Sequence, residues 1–263
     1  MPELHNLNRD FAWRTSNLPP RLLSEDQIAQ YDDQGFFLLE NAFPPELMDA
    51  MAEAIQPFED KTEAFLRAQK DGRYMIARAG EITFTTFLVK LAPICRDFSL
   101  HPVFQGLCHD LIGEGARLYW DQAVYKKPGS PQEFPWHQDN GYAFLEPQQY
   151  LTCWVALNDA TLENGCPWVM PSLHRMGTLA HRATPLGYEC LTAPVEGAVA
   201  VPARKGDIVV FSSLTPHRTG PNLTGEVRKS YILQYAGDGA RVVKAGGEDG
   251  VVQDDPLRQY RVA

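Results

Sequence analysis

The stretch that decides the fold is KGDIVVFSSLTPH, Lys205–His217, where the apolar run Ile208–Phe211 stands between a Gly-Asp turn and a Ser-Ser-Leu-Thr-Pro turn. Asp207–Ser212 reads as a strand, and similar runs lie at Leu118–Lys126, Tyr150–Leu157, Pro167–Met170 and Ser230–Tyr235. Everything from Ala116 onward therefore predicts a double-sheet β barrel, so the chain is mainly β. Helices precede it. Ser24-Glu25-Asp26-Gln27 is a capping box ahead of Ile28 and Tyr31, and Gly35 closes that helix before a strand at Phe36–Leu39. Pro44-Pro45 opens a second helix carrying Leu47, Met48, Met51 and Ile55 and stopping near Pro57, and a third fits Pro102–Ile112, ended by Gly113.

With 263 residues and 44% hydrophobic content the chain buries a sizeable core, and no linker or repeat divides it, so 1–263 is expected to be a single domain with the helices outside the β core. Residues 1–23 form an N-terminal extension, and the Gly- and Asp-rich 237–263 reads as a mobile tail. Arg175–Val199 has no clear periodicity and reads as a lid or a disordered loop. The 20 Gly and 20 Pro argue against a helical bundle. A net charge of −9 leaves no footprint for nucleic acid or an anionic membrane, so a small-molecule partner is expected. Five cysteines without a C-x-x-C pair exclude a disulfide framework and a zinc knuckle. The polar N-terminus and the lack of a long apolar run predict a cytoplasmic protein.

His137-Gln138-Asp139 is the one His-x-Asp/Glu pattern in the chain. In a strand, residues two apart share a face, so its imidazole and carboxylate can hold one ion together. His217, at the end of the opening stretch, supplies a third ligand. Two imidazoles and one carboxylate on one face, with the other positions open, suit non-haem Fe(II). Arg228, eleven residues past His217, begins a strand expected to pair beside the one leading to His217. Its guanidinium offers a planar fork to a carboxylate, with the Thr219 hydroxyl as a further donor. His5, His101, His109, His174 and His181 have no comparable partners and read as structural or surface residues.

These residues resemble the phytanoyl-CoA dioxygenase family of Fe(II)/2-oxoglutarate-dependent oxygenases, over roughly residues 24–236. The likeness rests on WHQDNGY (Trp136–Tyr142), WVALNDATLENGCPWVMPSLH (Trp154–His174), the opening stretch itself, and the run from His217 to Tyr231. The middle piece is most similar to the family's domain-containing proteins. The resemblance implies a double-stranded β-helix, that is, a cupin-like jelly roll with flanking helices. It makes His137, Asp139 and His217 the iron ligands and Arg228 the partner of the far carboxylate of 2-oxoglutarate, with Thr219 beside it. It adds Trp154 and Lys90 as cosubstrate contacts, and Gln122 where relatives carry a methionine. Asp139 argues against the halogenase branch, which lacks that carboxylate. The implied activity is hydroxylation of an unactivated C–H bond, using O2 and releasing succinate and CO2. The competing expectation is a non-catalytic metal-binding barrel serving as sensor or structural partner, which needs no dicarboxylate clamp. Lys126, Lys127, Arg175 and Arg182 are the candidates for holding the phosphates of a CoA thioester, and Trp136, Asn140 and Tyr142 for the substrate wall.

Overall fold

The computed structural model describes residues 2–192, 195–244 and 250–263. Helix α1 (Glu25–Gln34) starts with the expected reciprocal cap: Ser24 Oγ accepts from the Gln27 amide, and the Gln27 side chain accepts from the Ser24 amide. It ends at Gly35, whose φ of +83° and whose approach to His174, 2.5 Å from where a Cβ would stand, leave no place for a side chain. After β1 (Phe36–Leu39) comes α2 (Pro45–Arg67), which runs straight through the expected stop at Pro57. A proline inside a helix costs about 3 kcal/mol. Met48, Met51 and Ile55 before it and Glu59 and Leu66 after it are all buried, and Glu59 is tied to Thr83 Oγ1 (3.0 Å) and to Lys127. Tertiary anchoring on both sides outweighs the local defect.

Three strands follow, β2 (Arg73–Tyr74), β3 (Ala77–Arg78) and β4 (Ile82–Thr86), then three helices, α3 (Leu88–Leu91), α4 (Pro93–Ser99) and α5 (Pro102–Leu111). Only α5 has the length to be legible as a periodic segment. The barrel half contains β5 (Ala116–Lys126), β6 (Phe134–His137), β7 (Leu145–Glu146), β8 (Leu151–Ala156), β9 (Pro167–Val169), β10 (Arg182–Thr184), β11 (Gly187–Glu189), β12 (Val199–Ala200), β13 (Ile208–Ser212), β14 (His217–Thr219) and β15 (Arg228–Gly237), followed by β16 (Arg241–Val242) and β17 (Val251–Val252).

The main sheet has eight strands in the order β1-β13-β8-β15-β5-β4-β3-β2, and a smaller sheet, β12-β9-β14-β6, faces it. The expected pairing of Arg228's strand with the strand leading to His217 is corrected here, because β8 lies between β15 and β13. The main sheet is apolar on both faces. On one, Phe37, Tyr125, Val155, Val210, Tyr231 and Tyr235 pack with Met48, Met51, Phe98 and Phe104 of the helices. On the other, Phe36, Trp154, Val209 and Phe211 pack with Val169, Val201 and Ala203 of the facing sheet. The fold is thus mainly β, a cupin-like double-stranded β-helix with helices covering its outer face.

The described parts of the loop and tail carry strands. Arg175–Val199 contains the β10–β11 hairpin and meets β12 at its end, and the described part of the tail pairs β16 with β7 and β17. The tail's Tyr260 hydroxyl lies 2.6 Å from Ser99 Oγ, and Val262 is buried. Residues 193–194 of the loop and 245–249 of the tail lie outside the described residues. The N-terminal extension straps across the loop, with Leu4 bridging Leu179 and the Asn8 side-chain Nδ2 donating to the carbonyls of Met176 and Thr178. Among the described residues no helix is long and apolar enough to cross a membrane, and all five cysteines are free.

Candidate active site

Antiparallel pairing of β14 with β6 puts His217 opposite His137, with ring centroids 4.1 Å apart. Asp139 joins them differently from the expected strand geometry. β6 ends at His137, and Asp139 opens a short 3-10 turn to Gly141 that swings the carboxylate back over the strand end. Ligand atoms of His137, Asp139 and His217 all lie within 4.8 Å of one another.

Each group is held for metal binding. Nδ1 of His137 bonds the Pro135 carbonyl at 2.8 Å and Nδ1 of His217 the Thr215 carbonyl at 3.0 Å, so each ring keeps its Nε2 lone pair for an ion. Burial, then the neighbouring His217, pulls the His137 imidazole down to about 3, and burial pulls His217 down to about 4, so both are neutral ligands across the physiological range. Asp139 Oδ2 accepts from Thr152 Oγ1 at 2.6 Å, and Gln234 Nε2 donates to Thr152 Oγ1 at 3.5 Å. Burial alone would push the Asp139 carboxyl upward. A cation removes that penalty, which is why a buried carboxylate between two neutral imidazoles is a metal-binding set.

Sequence reasoning missed the supports of the turn. His181 Nε2 accepts from the Gln138 amide at 2.9 Å, with its Nδ1 on the Leu179 carbonyl. Gly141 passes so close to that imidazole that a Cβ would stand 2.1 Å from it. Gln138, wholly buried, donates to the carbonyls of Gly177 and Leu214. Asn140, expected in the substrate wall, is buried and bonded to Thr178 and Leu145. Trp136 also leaves the wall: strand alternation sends it to the side opposite His137, where Arg218 lies over its ring. Tyr142 stays, edge-on to His137 at 5.4 Å and to Tyr188 of β11 at 5.2 Å. A small, partly open cavity lined by Arg78, Ile82, Lys126, Phe134 and Leu186 adjoins the His-Asp-His cluster without including it, and Phe134 lies edge-on to His137 at 4.9 Å.

Arg228 is the largest fully buried side chain. Its Nη1 donates to Ser230 Oγ at 2.9 Å, its guanidinium lies 5.2 Å from the Trp154 ring, and Nε and Nη2 have no partner among the described residues. Burial lowers its pKa to about 10. A buried guanidinium with two nitrogens unpaired among the described residues, on the barrel face of the sheet, has the donors to receive an anionic group. Thr219 lies on β14 two residues past His217, and its hydroxyl accepts from Lys126 Nζ at 3.3 Å. Gln122 is opposite Ile232 in the β5–β15 pair, on the same face as Arg228, without a side-chain partner among the described residues.

Lys90 is not brought to this site. α3 docks on the other face of the sheet through the Val89 amide and the Asp121 carboxylate, and Lys90 is exposed there. Nor do the proposed phosphate-binding cations form a set. Lys126 is buried, Lys127 pairs with Glu59, Arg175 donates to the Asp32 carbonyl, and Arg182 pairs with Glu189.

The family model for phytanoyl-CoA dioxygenase matches residues 31–230. The chain belongs to the phytanoyl-CoA dioxygenase family. That family comprises 2-oxoglutarate-dependent, non-haem iron oxygenases, and the His-Asp-His set and the unpaired Arg228 fit an iron ion and a dicarboxylate. Among relatives, the phytanoyl-CoA dioxygenase of Arabidopsis thaliana is 25% identical over 65% of this chain and 62% of its own length. The methylphosphonate hydroxylase of Gimesia maris is 36% identical over 48% of this chain and 47% of its own. The matched region thus spans less than two thirds of either protein, whereas phytanoyl-CoA dioxygenase domain-containing protein 1 of Bos taurus, 26% identical, is matched over 91% of its length and 82% of this chain. Among solved structures, the α-ketoglutarate-dependent carbocyclase SnoK from nogalamycin biosynthesis superimposes with a TM-score of 0.73 at 23% identity, over 93% of this chain and all of that one. EctD from S. alaskensis gives 0.69 at 20% identity, over 98% and 92%. At those identities the likeness is one of fold.

Proposed function

We propose that this protein is a 2-oxoglutarate-dependent dioxygenase that hydroxylates an unactivated C–H bond of a small molecule, with release of succinate and CO2. His137, Asp139 and His217 hold Fe(II). Arg228 receives the far carboxylate of 2-oxoglutarate, Thr219 donates to it, and Trp154 and Gln122 line its path. When bound, iron and the keto acid together supply the reduction of O2 and the insertion of one oxygen atom into the substrate. The protein's own share is positional: Thr152 fixes the carboxylate, two backbone carbonyls fix the imidazoles, and the aromatic surround of Phe134, Tyr142 and Phe211 limits water.

The observation that carries this reading is Arg228. A sensor or structural barrel has no use for a wholly buried guanidinium whose Nε and Nη2 find no partner among the described residues. On the substrate, the dispersal of Lys127, Arg175 and Arg182 into internal pairs favours a compact molecule over a CoA thioester. The relative named for methylphosphonate supports the same preference. Free buried thiols and a ferrous ion suit a reducing, cytoplasmic setting. The test is anaerobic titration of 2-oxoglutarate into the Fe(II) protein, followed by admission of O2 and assay of succinate. Iron binding without 2-oxoglutarate binding or succinate release would favour the sensor.

A further inference from the structure

Lys126 is 1% exposed on the barrel face of β5, its Cα directly opposite that of Arg228. No carboxylate pairs with it among the described residues. Glu133, the nearest acid acting on it, is taken by Arg218. Its ammonium donates instead to the carbonyls of Gln132 (3.3 Å) and Gly220 and to Thr219 Oγ1 (3.3 Å), all at one corner of the barrel. Burial, then Arg228, lowers its pKa to about 7, and burial lowers that of Arg228 to about 10. One anion between these strands relieves both.

The direction of the contact with Thr219 matters most. Protonated beside an anion, Lys126 can only donate, so the Thr219 oxygen accepts there and its own proton must point elsewhere. Among the described residues no protein acceptor takes that proton. We infer that Lys126 is a positioning residue for the cosubstrate: by donating to Thr219 Oγ1 it turns that hydroxyl into an obligate donor toward the carboxylate held by Arg228. The inference rests on the proposed reading of Arg228. Asp or Glu at position 126 would turn the hydroxyl the other way, and an apolar residue would leave it free to rotate.

The experiment compares 2-oxoglutarate with 2-oxovalerate, which keeps the keto acid and lacks the far carboxylate, by calorimetry on the anaerobic Fe(II) protein. In the wild type, 2-oxoglutarate should bind at least about thirtyfold more tightly. Equal binding of the two would overturn the Arg228 reading itself. In Lys126→Met that preference should fall about tenfold, with 2-oxovalerate affinity and iron content little changed. Lys126→Arg, which still donates, should keep the preference. In Thr219→Val the preference should fall similarly, and adding Lys126→Met should lower it no further. A general packing defect would weaken both ligands alike and add to Thr219→Val. Full preference in Lys126→Met, beside a discriminating wild type, would overturn the inference and leave Arg228 standing. If Lys126→Met does not fold, the wild-type crystal structure with anaerobic Fe(II) and 2-oxoglutarate decides. Thr219 Oγ1 should lie within about 3.2 Å of both Lys126 Nζ and a far-carboxylate oxygen, and loss of either contact overturns the assignment.

Discussion

Replacing Arg228 by Met removes a fully buried guanidinium and keeps most of its volume. Without cosubstrate, burial depresses the Arg228 pKa from 12.5 to about 10, a desolvation cost on the order of 3 kcal/mol at about 1.4 kcal/mol per unit. Against it stand one hydrogen bond from a charged group to Ser230, worth about 1.5–3 kcal/mol, and the contact with the Trp154 face, worth about 1 kcal/mol. The two sides nearly cancel. Arg228→Met should therefore unfold in urea within about 1 kcal/mol of the wild type when both lack 2-oxoglutarate. Cosubstrate binding should behave differently, because the far carboxylate loses a buried charged partner worth about 2–5 kcal/mol, or at least about thirtyfold in affinity. Arg228→Lys should fall between the two, since an ammonium lacks the planar fork. A saturating addition of 2-oxoglutarate should raise the stability of the wild type and not of Arg228→Met. The reasoning is refuted by the opposite pattern, a variant destabilised by several kcal/mol that still binds 2-oxoglutarate normally, which is how a structural arginine behaves.

Thr152→Val removes the 2.6 Å bond that orients Asp139 and should weaken iron binding about 10–100-fold, measured by competition with a chelator; unchanged affinity would exclude the support role. Gly141→Ala drives a Cβ into His181 and should displace the turn that carries Asp139, lowering metal occupancy after reconstitution; full occupancy would show that the imidazole yields easily. The Asp121 carboxyl is pushed up by burial to about 6, partly held back by bonds from Tyr231 and Val89. A carboxyl raised in the folded state favours folding below its unfolded value near 3.8 and loses that contribution as pH rises through about 6. Asp121→Asn, uncharged throughout, should gain on the wild type by up to about 3 kcal/mol between pH 4 and 7.5 in urea unfolding, and a pH-independent difference would refute the assignment.

The His137, Asp139 and His217 cluster was legible because each member stands beside a strong local signal. His217 follows an apolar strand and a proline turn, and His137 and Asp139 are two apart, a spacing that brings them together whether the chain stays extended or, as here, turns after His137. Arg228 was legible as a candidate, but its strand neighbours were not, since β8 is inserted between β15 and β13 by a long-range topology that no local pattern encodes. Lys126 reads from sequence as a surface candidate for holding the phosphates of a CoA thioester. Its burial is decided by register with Arg228, a hundred residues away. Lys90 failed through the same kind of long-range fact: α3 docks against Asp121, on the face opposite Gln122. Pro57 misled because its helix is held by burial of Met51 and Glu59, which outweighs intrinsic propensity.

Register is also what couples stability to chemistry here. Along β15, Arg228, Ser230, Ile232 and Gln234 face the barrel while Tyr231, Leu233 and Tyr235 face the helices, so one strand carries Arg228, the link through Thr152 to Asp139, and a share of the outer core. A one-residue slip would exchange these rows, placing a guanidinium among Phe98 and Phe104 and three large apolar residues in the site. Tyr231 adds a directional lock, its hydroxyl donating to Asp121 at 3.0 Å, and Asp121 in turn accepts from the α3 amide at Val89. The aromatic face thus makes the wrong register costly whatever occupies the barrel. That is how a barrel face holding two buried basic side chains, Lys126 and Arg228, keeps its geometry.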